Sequence, residues 1–116
     1  MRIRFLADAD FNQKIAAGLL LREPRIDFVL PQRFIPDGTK DPAVLRLGNQ
    51  LGRIIVTHDV RTMPVHFRSY TQQQKCAGLI LVPQRMPIRL AIEDLLLIWQ
   101  ASEAEEWINR MRWLPL

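Results

Sequence analysis

The chain has 116 residues, 48% of them hydrophobic and 24% charged, which suits one globular domain spanning 1–116 and does not fit a disordered chain. No apolar run approaches the roughly 18 residues that a membrane span needs, and the single cysteine, Cys76, excludes an internal disulfide. The net charge of +4 and the pI of about 10.0 favour an anionic partner.

The opening stretch Arg2 to Ala7 alternates basic and apolar residues before turning fully apolar, as a strand does on entering a sheet. It reaches an acid at Asp8, which leaves no room for the apolar core of a signal peptide; with one cysteine, the expected location is the cytoplasm. Phe11 to Arg22 carries Phe11, Ile15, Leu19 and Leu20 at helical spacing, with Asp10 in the N-cap place, and Pro24 stops the helix. Ile26 to Leu30 reads as a short strand, and Pro31 to Lys40, with two prolines and Asp37-Gly38, as a loop.

Asp41-Pro42 has the form of an N-cap with proline at the first helical position, and the helix is expected to run to Leu51 and stop at Gly52. Arg53 to Thr57 is a β-branched run of the kind buried on both faces of a parallel sheet. Beyond it Met63-Pro64 reads as a break, followed by a helix over Val65 to Gln74. Ala77 to Val82 is a buried strand, Pro87 to Ala101 a helix, Glu103 to Asn109 a short helix, and Met111 to Leu114 an edge strand. Strands alternating with helices imply βαβ units around a mainly parallel sheet, a three-layer α/β/α domain.

Ligands of such sheets bind outside the carboxyl ends of the strands. Asp8 and Asp59 each follow a predicted strand, and Asp41 heads a helix that packs beside them, so the three are expected to converge. Crowded carboxylates raise one another's pKa unless a cation joins them, and oxygen donors suit Mg²⁺ or Mn²⁺. Such an ion activates water and stabilises charge on a phosphoryl oxygen. Each acid also has a structural reading: Asp8 as a solvated turn residue, and Asp10, Asp41 and Asp59 as caps of a helix or turn. Asn12 in a first helical turn, Thr57 in a strand and the isolated His58 are auxiliary candidates at the same site. No acid lies between Val60 and Ile92, where Arg61, Arg68, Lys75, Arg85 and Arg89 all fall; Arg53, Arg61, Arg68 and Arg85 are candidates to hold a nucleic-acid backbone.

Three stretches carry a resemblance: Phe5-Leu6-Ala7-Asp8, Asp41-Pro42-Ala43-Val44-Leu45, and Gly52-Arg53-Ile54-Ile55-Val56-Thr57-His58-Asp59. Together they resemble the small PIN-like proteins of the DUF5615 (Mut7-C-like) group. The resemblance implies a PIN-like fold and a metal-dependent ribonuclease site, with Asp8, Asp41 and Asp59 as ligands and Asp10 auxiliary. It also implies kinship with toxins of toxin–antitoxin pairs, hence RNA and an antitoxin protein as partners. Two departures stand out. The acid that commonly follows the first is Ala9 here, with Asp10 one place later, and the fourth acid has only Glu93 and Asp94 as substitutes.

Two other readings compete. One is a PIN-like module that grips RNA or protein without cutting. The other is a phosphotransfer domain, suggested by Asp8-Ala9-Asp10 but lacking a suitably placed lysine. Phe34, Ile35 and Trp107 in polar surroundings are candidates for a homodimer or partner surface.

Overall fold

The computed structural model describes residues 1–30 and 41–116; the loop expected over Pro31–Lys40, with Phe34 and Ile35, lies outside the described residues. Five strands, β1 (Arg4–Ala7), β2 (Asp27–Val29), β3 (Ile54–Thr57), β4 (Leu79–Leu81) and β5 (Met111–Trp113), form one sheet in the order β2-β1-β3-β4-β5. Every neighbouring pair is parallel, the edge strand β5 included.

Among the described residues four α-helices connect these strands: α1 (Gln13–Arg22), α2 (Asp41–Leu51), α3 (Met63–Thr71) and α4 (Ile88–Ala101). Side chains alternate along each strand, and both sets are buried. Phe5, Ala7, Ile54, Val56 and Ile80 pack under α1 and α4 through Ile15, Leu19, Leu95 and Trp99. Leu6, Ile55, Leu79 and Leu81 pack under α2 and α3 through Leu45, Met63 and Phe67. Helices thus cover both faces, giving the three-layer α/β/α arrangement with two cores separated by the sheet. None of the described helices is long and apolar enough to cross a membrane.

Three local expectations need correction. Asp10 is not the cap of α1: Asn12 holds that place, its side chain accepting the Lys14 N–H at 2.9 Å. Met63-Pro64 begins α3 rather than breaking it, because a proline in the first helical turn lacks only an N–H that has no partner there. The helix expected over Glu103–Asn109 is a shorter 3-10 turn, Ala104–Trp107. Asn12→Ala should lower stability by about 1 kcal/mol in urea unfolding, whereas Asp10→Ala should change it by less than about 0.5 kcal/mol.

The turn from α1 into β2 is closed by Glu23, whose carboxylate accepts from the Arg25 side chain at 2.9 and 3.0 Å and from its backbone N–H at 3.1 Å. These bonds to Arg25 lower the Glu23 pKa from 4.5 to about 2. A depressed carboxyl stabilises the fold above its unfolded pKa and loses that contribution as pH falls through the folded one. Acid titration should therefore weaken this turn between about pH 4.5 and 2, with Glu23→Gln removing that part of the pH dependence of unfolding.

Candidate functional site

From β1 the chain steps out to β2 through α1 on one face, then returns past β1 to β3 through α2 on the other. The carboxyl ends of β1 and β3 therefore flank the topological switch point, the usual ligand crevice of an open parallel sheet. Asp8 follows β1 directly, still pinned to β3 by its N–H to the Val56 carbonyl at 3.2 Å. Thr57 closes β3 and is fully buried.

The Thr57 hydroxyl joins the two acids. It donates to Asp8 Oδ2 and accepts the Asp59 N–H at 3.0 Å. The sheet's alternation explains the meeting. Leu6 and Ile55 face α2 and α3, so Asp8 and Thr57, two residues further along each strand, share that side. A helix following a parallel strand starts at the strands' carboxyl edge, which places the head of α2 at this edge and on this face. Asp41 is the first residue of that helix; its side chain lies outside the described residues.

Asp59 has a local task as well. Its Oδ1 accepts the backbone N–H of Arg61 at 3.1 Å and of Thr62 at 2.8 Å, and its Oδ2 accepts the Thr62 hydroxyl. This turn launches α3, so the capping use foreseen for Asp59 is realised. Asp10 is exposed in the turn that leads to α1.

His58 points to the opposite face. Its Nε2 accepts the Asn12 N–H at 3.1 Å, which puts the proton of the neutral ring on Nδ1, 2.8 Å from the Val82 carbonyl it donates to. The ring stacks on Phe11 with centroids 4.6 Å apart and planes 15° from parallel. Both nitrogens are engaged, so His58 clasps the start of α1 to the end of β4 rather than offering a lone pair to a metal. Asn12 shares this structural duty.

The arginines separate by edge. Arg61 and Arg85 are exposed at the carboxyl edge, Arg61 beside Asp59 and Arg85 in the connection after β4; Arg68 is exposed further along α3. Arg53 stands at the opposite edge, before β3, only 12% exposed. Its guanidinium forms a two-pronged pair with Asp27 at 2.7 and 3.2 Å and donates to the Phe5 carbonyl at 3.1 Å. Charge alone suggested Arg53 as a nucleic-acid contact; its position and its pairing take it away from the aspartates. Glu93 and Asp94 lie on α4, across the sheet from Asp8 and Thr57. Asp94 accepts the Leu116 N–H at 2.9 Å, and Glu93 lies 3.8 Å from Arg89. Neither supplies a fourth acid.

The donors gathered around Thr57 are all oxygen, the chemistry that Mg²⁺ and Mn²⁺ prefer over nitrogen or sulfur. Among the described residues no group of three or more His, Cys, Asp or Glu side chains is arranged to hold a metal ion; two of the three expected ligands are described. Among the described residues a phosphotransfer lysine has no match either: Lys75 lies before β4, at the far edge, and β5 leads into the buried Leu114. Trp107 packs against the core and donates to Ser102 Oγ at 3.0 Å, which removes it from the candidate partner surface.

No family model, no curated protein and no solved structure matches this chain. Any assignment of chemistry therefore rests on the residues and on how they are placed.

Proposed function

We propose that this chain is a PIN-like domain of the DUF5615 (Mut7-C-like) kind acting as a Mg²⁺- or Mn²⁺-dependent ribonuclease. The observation that carries the reading is the shared hydroxyl: Asp8 through its carboxylate and Asp59, 51 positions later, through its backbone N–H both meet Thr57 at the switch point, on the face where α2 begins with Asp41.

In this reading Asp8, Asp41 and Asp59 would hold the ion. When bound, it supplies an activated water and neutralises charge on a phosphoryl oxygen. The protein's own part is positional. Thr57 fixes one oxygen of Asp8 from within the core, where it has no room to turn. The α3 turn orients Asp59, and the backbone bond to Val56 keeps Asp8 at the sheet's edge. Arg61 and Arg85, exposed at the same edge, would grip the RNA phosphates, with Arg68 extending the track along α3. Location in the cytoplasm and an antitoxin partner belong to the same proposal.

The test is incubation of a mixed RNA pool with Mn²⁺ and with chelator. Cleavage that requires the metal supports the reading; none at any metal concentration removes it.

One observation favours a second reading, a module that binds RNA without cutting it. Asp59 already accepts three hydrogen bonds from the α3 turn, more than a dedicated ligand needs. Such a module would bind RNA with an affinity that falls steeply with salt and ignores chelator.

A further inference from the structure

At the amino-terminal edge of the sheet, across the molecule from the aspartates, lies a cavity of about 230 Å³. Its walls include Ile54, Ala77 and Ile108; two cations, Arg4 and Lys75, open onto it, and so does Glu105, which is paired with the Met1 ammonium. Most charges at this edge are spent on one another: Arg25 on Glu23, Arg53 on Asp27, and Glu103 and Glu105 on the Met1 ammonium. Arg4 and Lys75 are not. Neither has an ion-pair partner among the described residues.

The Arg4 case is the more telling. It is half-buried, and Asp27 stands directly across from it in the β1–β2 register, yet that carboxylate belongs to Arg53. Its guanidinium instead rests against Gly52, the residue that ends α2 at φ +64; a Cβ there would meet Arg4 Nη2 at 2.8 Å. The negative end of the α2 dipole accounts for part of this placement. It explains neither the second cation nor an apolar hollow beside them. A partly desolvated guanidinium beside greasy walls, with its nearest acid already engaged, matches an anion that carries an apolar body.

We propose that this cavity binds a small organic oxyanion, its head held by Arg4 and Lys75 and its apolar body against Ile54, Ala77 and Ile108. The site is independent of the aspartates and of any nuclease activity. Its volume suits a short acyl or alkyl chain.

The probes are sodium hexanoate and hexyl phosphate, with hexylammonium as the charge-reversed control, titrated into the isotopically labelled full chain by NMR. We expect saturable shift changes for one or both oxyanions at residues 4, 52–54, 75–77 and 104–108, and none there for hexylammonium. The two heads separate a carboxylate preference from a phosphate one. Arg4→Gln with Lys75→Gln should weaken binding at least about tenfold, the loss of a charge-assisted contact, and Asp8→Asn should leave it unchanged. If the double variant does not fold, Ala77→Met, which fills the hollow and keeps both cations, should abolish binding. Equal response to hexylammonium, shifts that map elsewhere, no saturation with either oxyanion, or undiminished binding in the folded variants would overturn the proposal.

Discussion

Asp8→Asn should cut metal-dependent RNA cleavage by about a hundredfold or more and leave the melting temperature nearly where it was. The asparagine carbonyl can still accept the Thr57 hydroxyl, so the buried bond at the end of β3 survives. What disappears is the negative charge that draws a divalent ion. Asp8→Ala makes the comparison sharp: it also strips Thr57 of that acceptor, at a cost of about 1–3 kcal/mol for an orphaned buried hydroxyl. Cleavage assays and thermal melts of the two variants thus separate a ligand from a brace. If the asparagine variant cuts RNA as fast as wild type, Asp8 holds no metal.

His58→Ala is expected to be the most destabilising change at this edge outside the apolar core. It removes both ring hydrogen bonds and the stacking on Phe11, leaving the Asn12 N–H and the Val82 carbonyl partly buried without that partner. Two such losses together cost about 2–4 kcal/mol, a fall in melting temperature of roughly 10–20 °C for a domain of this size. A merely exposed histidine would change stability by less than about 0.5 kcal/mol. Urea unfolding distinguishes the two, since a loss that small would mean that the clasp contributes nothing.

How far the sequence could be read depends on the range of the interaction. The β-branched run Ile54–Thr57 and the apolar face of Pro87–Ala101 declare a buried strand and a core helix by local pattern alone, and both are present. Asp8 and Asp59 reach one edge because each follows a strand of a parallel sheet, which is also legible; that β1 and β3 are neighbours, and that Asp8 and Thr57 share a face, is not. Asp10 and Asn12 are equally good caps by residue type. The choice between them falls to Asn12, whose own N–H is fixed by a histidine 46 positions away. Arg53 looked like a nucleic-acid contact because nothing local shows that Asp27 will lie beside it. The central role of Thr57 had one available signal: a hydroxyl closing a fully buried strand has to find a partner, and the acids were the nearest.

Adjacent residues of one strand end are committed to unrelated duties, Thr57 to the acids on one side and His58 to the scaffold on the other. The arrangement is therefore intolerant of a change in parity. Deleting or inserting one residue between Gly52 and Thr57 would exchange the two, aiming an imidazole at the carboxylates and a short hydroxyl at Phe11. Both functions would be lost together, although no functional residue had been replaced.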